Sequence, residues 1–278
     1  MVNIGGLYMF RKKQVVLNKK WRWGLLAAFT AAMVLNGLAG STKLLGGVDT
    51  AAISDRFPNL FAPAGITFGV WGVIYTLLLG FIAYSFGFQR SKKTPLTNQQ
   101  LLYVVQLLTL NMALNGLWLL TWQHKVLWLS VLLMIGLLVT LIKIVGSLRP
   151  VKLENAEYVL AKLPFSIYFG WITVATIANI TTWLVSIQWN GFGVRDGVWM
   201  VAVLLVGAVI GIVTALRNRD AAYLSVFVWA YAGILLKHLS PSGFKGMYPS
   251  TIITLTICLA VFLSVIVSLL APRLAPKD

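Results

Sequence analysis

Apolar runs long enough to cross a bilayer recur along the chain and are separated by short polar connections. A helix rises 1.5 Å per residue, so about 20 residues cross the ~30 Å hydrocarbon core. The pattern therefore predicts an all-α integral membrane protein with about eight transmembrane spans. The runs lie at about residues 23–40, 64–86, 99–121, 126–146, 159–187, 197–216, 221–238 and 250–271.

The first and fifth runs differ from the others. The first follows a group of basic residues, as the apolar part of a secretory signal does, but its near-membrane length and Asn36 favour an uncleaved helix. The fifth is longer than a bilayer requires, and Pro164 lies near its start. Because proline has no N–H to donate, we expect the helix to end or kink there.

Composition agrees with a membrane protein: 59% of the residues are hydrophobic and 11% are charged, with a mean hydropathy of +0.83. Globular proteins have about 45–50% apolar and about 25% charged residues. A net charge of +16 would suggest nucleic-acid binding in a soluble protein. Here the basic residues lie in connections and tails, so we expect membrane lipid as a partner and no nucleic acid.

The distribution of the basic residues predicts the orientation in the membrane. One set of alternate connections carries few of them, namely Lys43, Arg56, Lys125, Arg195, Lys237 and Lys245. The other set, together with both termini, carries the remaining 17 of the 23 Lys and Arg residues. Because an excess of Lys and Arg marks the cytoplasmic side, both termini are predicted to lie inside.

Ionisable residues give little sign of catalysis or of proton coupling. All seven acids fall in connections, interfaces or the tail, which argues against a proton-driven pump. His124 and His238 lie at helix ends and are expected to be solvated, and the single Cys258 is expected to be buried. The sequence has no phosphate-binding glycine loop, zinc spacing or nucleophile elbow, so we expect no metal, no required cofactor and no covalent catalysis.

Three spans instead carry aromatic residues at helical spacing. In the second span the positions i, i+3 and i+7 are Phe68, Trp71 and Tyr75. In the third span i, i+4, i+7 and i+11 are Asn111, Asn115, Trp118 and Trp122. In the fifth span i, i+3, i+7 and i+11 are Tyr168, Trp171, Ala175 and Asn179. Each spacing places its residues along one helix face.

Each line taken alone is compatible with helix packing, since asparagine forms interhelical hydrogen bonds and tryptophan favours the membrane interface. Three such faces in one chain favour a binding site. They indicate a planar or aromatic ligand held by stacking, apolar contact and a few amide hydrogen bonds.

Three motifs resemble those of a known family. Phe68-Gly-Val-Trp71-Gly-Val-Ile-Tyr75 resembles a VWxxLY signature, Asn115-Gly-Leu-Trp118 resembles an NxxW motif, and the stretch from Trp171 to Asn179 resembles a W-x3-AT-x2-N motif. Their order and spacing are similar to those of the tryptophan-rich sensory protein, or translocator protein (TspO/MBR), family. The resemblance covers about residues 22–187.

The resemblance implies a five-helix bundle at residues 23–187 whose pocket binds a tetrapyrrole or a sterol-like molecule. The site residues that it implies are Trp71, Tyr75, Asn115, Trp118, Trp171, Ala175 and Asn179. Helical-face spacing alone adds Phe68, Asn111 and Trp122.

The sequence departs from the family pattern in two places. Pro63-Ala64-Gly65 stands where the family has paired prolines, and residues 188–278 form an additional region of three spans. Residues 1–22 are expected to form a basic cytoplasmic segment. Gly207 and Gly211 predict a close helix contact within the chain or across a homodimer.

We therefore expect a non-enzymatic receptor or sensor in a bacterial plasma membrane, binding porphyrin, haem or a sterol-like molecule. The alternatives are a permease for a small hydrophobic or amphipathic molecule and an enzyme that degrades porphyrin.

Overall fold

The computed structural model describes residues 19–41, 48 and 50–274, which form helices and connections without a β-strand. Short 3-10 turns lie at Gly65–Gly69 and Gly191–Gly193. The helices are α1 (Lys19–Ser41), α2 (Thr50–Asp55), α3 (Val70–Phe86), α4 (Asn98–Gln123), α5 (Leu127–Leu148), α6 (Asn155–Ala161), α7 (Leu163–Ser186), α8 (Asp196–Asn218), α9 (Ala221–Leu239) and α10 (Pro249–Leu274).

The predicted all-α membrane fold is confirmed, because eight helical segments of the described chain are long and apolar enough to span a bilayer. The fifth span consists of two helices, α6 and α7, which part at Lys162 (φ −125°), with Pro164 in the first turn of α7. The expected break at this proline is present. Residues 1–18 of the predicted basic segment at residues 1–22 lie outside the described residues, and so does Lys43.

The helices pack in a chain of neighbours in which α7 is central. Helix α4 packs between α1 and α5, and α5 packs against α7. On its other side α7 packs against α9, which contacts α8 and α10. Helix α3 packs against α7 and α6. Helices α8 and α9 of the additional region are therefore in direct contact with α7, which carries one of the aromatic faces.

The Gly207 and Gly211 spacing serves a contact within the chain. A Cβ atom on Gly207 would lie 2.6 Å from the Tyr231 hydroxyl, and one on Gly211 would lie 2.8 Å from the Phe227 ring. The Tyr231 hydroxyl donates to the Leu204 carbonyl at 2.8 Å. The two glycines thus allow α8 and α9 to approach closely, and a homodimer stays a prediction.

Two minor expectations have opposite outcomes. Cys258 is buried, as predicted. The prediction of a solvated His238 is wrong, because this side chain is fully buried and its Nε2 lies 2.9 Å from the Leu60 carbonyl oxygen. Leu60, in the connection before α3, and Phe244, whose ring lies 4.7 Å away in the connection after α9, cover the imidazole. Its position at a helix end could not reveal these contacts.

Candidate ligand-binding site

Aromatic rings from α3, α4 and α7 converge on Trp71. Its ring stacks on Tyr75 with centroids 5.3 Å apart, and lies 5.9 Å from Trp118, 5.9 Å from Tyr168 and 6.2 Å from Trp171. These separations fall in the range of direct aromatic contact, about 4.5–7 Å. The three predicted aromatic faces therefore meet in one cluster.

The 3-10 turn at Gly65–Gly69 places Phe68 at the edge of this cluster. Ala64 precedes the turn in an extended conformation (φ −60°, ψ 145°), and α3 follows at Val70. The Phe68 ring meets Trp171 edge-on with centroids 5.9 Å apart. The turn thus brings Phe68 and Trp71 onto the same side although Phe68 precedes the α-helix.

A chain of hydrogen bonds joins four helices beside the Trp71 cluster. The Asn36 amide donates to the Tyr75 hydroxyl at 3.2 Å, and this hydroxyl donates to Asn115 Oδ1 at 3.2 Å. Asn115 Nδ2 donates to the Tyr168 hydroxyl at 3.4 Å. Because each partner is a polar group within a span, these bonds keep the polar atoms away from hydrocarbon.

A second set of polar contacts orients the tryptophans of α4. Trp118 Nε1 donates to Asn179 Oδ1 at 3.3 Å, and Asn179 Nδ2 donates to Ser130 Oγ at 3.1 Å. Trp122 Nε1 donates to the Thr50 carbonyl at 3.2 Å and so ties α4 to the short helix α2. The amides of Asn115 and Asn179 are thus used within the protein.

Trp171 differs from the other tryptophans of the cluster. Its side chain is 3% exposed, and its Nε1 has no acceptor among the described residues. An unpaired donor in a buried site costs free energy, about 1–3 kcal/mol. This indole N–H is a hydrogen-bond donor that an acceptor atom of a ligand would satisfy.

A cleft of about 520 Å³, which includes its open mouth, lies beside these rings. Its lining is mostly apolar and comes from α2, α3, α4, α7, α9 and the connection before α3. The lining residues are Thr50, Ser54, Phe61, Pro63, Phe68, Trp71, Trp118, Trp122, Trp171, Val174, Ala175, Ala178, Asn179, Thr182, Ala230 and Ile234.

The structure brings most of the predicted site residues to this cleft. Those that line it are Phe68, Trp71, Trp118, Trp122, Trp171, Ala175 and Asn179. Tyr75 and Asn115 do not line it but lie next to it in the hydrogen-bonded chain. For all of them, contact with a ligand stays a prediction.

Asn111 is the predicted residue that the structure places elsewhere. It is fully buried, and its Nδ2 donates to the Leu137 carbonyl at 3.2 Å and to Thr140 Oγ1 at 2.7 Å. Both partners belong to α5. Asn111 shares the direction of this face but lies about two turns along α4 from Trp118, so the two ends of the face meet different neighbours.

Several lining residues were missed by the sequence-based prediction. Val174, Ala178 and Thr182 follow Trp171 by 3, 7 and 11 positions, so the helical-face argument could have included them. Ala230 and Ile234 carry no distinctive pattern in α9, and only the packing of α9 against α7 brings them to the cleft.

The lining gives no sign of a metal centre. Within the described part of the chain, no group of three or more His, Cys, Asp or Glu residues lies close enough to hold a metal ion.

The fold and the cleft define the class of this protein: an all-helical, multi-pass integral membrane protein with an aromatic cleft between its spans. The chain matches the family described as TSPO-like protein over residues 22–269, and it belongs to this family. The match extends through the additional helices, beyond the motifs that end at Asn179. Neither the search of curated proteins nor the search of solved structures found a match.

Proposed function

We propose that this protein is a receptor or sensor of the bacterial plasma membrane that binds a planar hydrophobic ligand in the aromatic cleft. The ligand class is a tetrapyrrole such as porphyrin or haem, or a sterol-like molecule. The observation that carries the proposal is the convergence of rings from three helices on Trp71 beside a largely apolar cleft. Membership of the TSPO-like family supports it.

Recognition would rest on ring contacts and on one indole donor. Trp71, Trp118 and Trp171 present apolar faces, and Trp171 Nε1 offers a hydrogen bond to an oxygen or nitrogen acceptor. Since the cluster rings already contact one another, a planar ligand would displace a ring or lie against the open side of the cluster. Binding would then shift the helices that carry the rings, which is how a sensor transmits occupancy.

The proposal is for binding without chemical conversion and without a required cofactor. The cleft lining is hydrocarbon, indole, hydroxyl and amide, and it contains no carboxylate, histidine or thiol. A permease and a porphyrin-degrading enzyme are the competing functions.

A titration of the purified protein with protoporphyrin, followed through the Soret absorption of the ligand, tests the proposal. We expect saturable binding, weakened about ten-fold or more by Trp71→Ala or Trp118→Ala because each change removes ring contact and apolar burial. Trp128→Ala is the matched control, since Trp128 is 55% exposed and does not line the cleft.

Other results would overturn the proposal. Unchanged affinity in both cleft variants would show that the site lies elsewhere. Protein-dependent flux of protoporphyrin into proteoliposomes without saturable binding would favour the permease. Conversion of bound protoporphyrin to a new product would favour the enzyme.

A further inference from the structure

Helix α9, from the additional region of the chain, forms one wall of the cleft. Ala230 and Ile234 lie four residues apart on α9 and line the cleft, and both are fully buried. The spacing places them one turn apart on the same helix face. The wall that α9 contributes is therefore entirely apolar, with its smallest side chain at position 230.

This wall is held firmly against α7. A Cβ atom on Gly170 would lie 2.7 Å from the Tyr223 carbonyl oxygen and 2.9 Å from the Val226 Cβ, so the two helices approach at the distance that only glycine permits. The Tyr223 hydroxyl donates to Thr173 Oγ1 at 3.2 Å. Because the close contact is with main-chain and β-carbon atoms, α9 and α7 are tightly packed at this point.

Helix α9 also holds residues 60–69, here called the cover segment, which includes the cleft-lining Phe61, Pro63 and Phe68. The Ala64 N–H donates to the Gly233 carbonyl at 3.0 Å, and Trp229 Nε1 donates to the Thr67 carbonyl at 2.9 Å. A Cβ atom on Gly233 would overlap the Thr67 side chain.

The same attachment continues beyond the middle of α9. His238 Nε2 contacts the Leu60 carbonyl oxygen, and Lys237 forms an ion pair with Asp55 at 2.6 Å. The cover segment and α2 are thus attached to α9 at several points along two turns of the helix.

The departure from the family motif coincides with this attachment. Pro63-Ala64-Gly65 stands where the family resemblance places paired prolines, and the Ala64 N–H donates to the Gly233 carbonyl. A proline at position 64 would have no N–H to donate. The altered motif and the additional helix therefore fit each other.

The polar side chains of the lining come from helices other than α9. The hydroxyl and amide groups belong to Thr50 and Ser54 of α2 and to Asn179 and Thr182 of α7, and the unpaired indole N–H of Trp171 also belongs to α7. Helix α9 contributes only Ala230 and Ile234. An amphipathic ligand buried here would lose free energy if its polar substituents faced α9, because no partner is available on that side.

We propose that α9 is the specificity wall of the cleft: Ala230 and Ile234 limit the size of the ligand and require an apolar edge on their side. This inference rests on the proposed function, since it concerns which ligands the same cleft accepts. The polar substituents of the ligand then face α2 and α7, where the Trp171 indole N–H and the Thr182 hydroxyl lie. The additional helices thus contribute directly to selectivity.

Protoporphyrin titrations of two matched pairs of full-length variants test the wall. Ala230→Phe places a ring in the cleft and is expected to weaken binding about ten-fold or more, since overpacking costs about 1–3 kcal/mol. Its control is Ala232→Phe, two residues along α9 and exposed on the bundle surface, where we expect affinity within about two-fold of the natural protein.

The second pair of variants keeps the inference testable if Ala230→Phe fails to fold. Ile234→Ala removes side-chain volume from the wall and is expected to change affinity by about three-fold or more, whereas Leu236→Ala, at a half-exposed position, leaves it unchanged. Thermal melting confirms that each variant is folded. If the natural protein binds but each wall variant matches its control, the inference is overturned while the proposed function stands. If the natural protein shows no saturable binding, the proposed function itself fails.

Discussion

Asn179 connects three helices through a single amide. Its oxygen accepts from Trp118 and its nitrogen donates to Ser130, so the residue orients a cleft tryptophan and joins α4, α5 and α7. Asn111 joins α4 to α5 in a similar way but lies away from the cleft. Helical spacing predicted both amides as site residues, and their different neighbours in the structure separate them.

We predict that Asn179→Ala and Asn111→Ala each lower the free energy of unfolding by about 1 kcal/mol, as the loss of an interhelical hydrogen bond does in a membrane protein. Only Asn179→Ala is expected to weaken protoporphyrin binding, because Trp118 loses the acceptor that fixes its ring. Thermal unfolding in detergent and a Soret titration measure the two effects. An equal loss of affinity in Asn111→Ala would place Asn111 at the ligand after all.

At the scale of elements, the contact between α9 and the cover segment determines the shape of the cleft on one side. It consists of main-chain and indole hydrogen bonds and a glycine contact. The Lys237–Asp55 ion pair attaches the neighbouring helix α2 to α9. The Asp55 side chain is 52% exposed, and exposed ion pairs contribute only about 0–1 kcal/mol. We therefore assign most of the attachment to the contacts at Ala64, Thr67 and Gly233.

The variant Ala64→Pro tests this assignment. Ala64 already has the φ of −60° that proline requires, so the change removes the N–H donor without forcing a new backbone conformation. We expect the free energy of unfolding to fall by about 1 kcal/mol and hydrogen exchange in residues 60–69 to accelerate.

A suitable control is Ala221→Pro. Ala221 is the first residue of α9, where a helix tolerates proline because that N–H has no partner within the helix. We expect a change within about 0.5 kcal/mol there. Unchanged exchange in residues 60–69 of Ala64→Pro would show that α9 does not hold the cover segment.

At the scale of the whole molecule, the arrangement of helices is compatible with the orientation that the basic residues predict. The cover segment and the connection after α9 then lie on the outside, and the connections after α3 and α5 lie on the inside. The cleft lining at Thr50, Ser54 and Thr182 would be nearest the outer surface.

Cysteine labelling measures this orientation. The single natural cysteine, Cys258, is buried, and changing it to serine leaves only the introduced cysteine to react. We predict that Ser242→Cys reacts with a membrane-impermeant maleimide in intact cells, whereas Lys93→Cys reacts only after the membrane is permeabilised. Both positions are exposed. The opposite labelling pattern would reverse the orientation of the protein and of its cleft.

The eight spans, the break near Pro164 and the inward position of the tryptophans could all be predicted from the sequence. Span length follows from bilayer thickness, a proline cannot continue a hydrogen-bonded helix, and a shared face follows from helical spacing. These properties depend on residues close together along the chain. Helical spacing and the resemblance to the family's motifs both indicated Trp71, Trp118 and Trp171 as residues of one site.

The sequence by itself thus determined that this is a helical membrane protein of a recognisable family, and which helix faces carry its aromatic residues. Only the tertiary structure decided that Asn111 turns towards α5, that His238 is buried under the cover segment, and that Ala230 and Ile234 of α9 complete the cleft. The physical reason is that helix periodicity is local, whereas the partner of a face depends on close contacts between distant segments, here allowed by Gly170 against Tyr223 and Gly233 against Thr67.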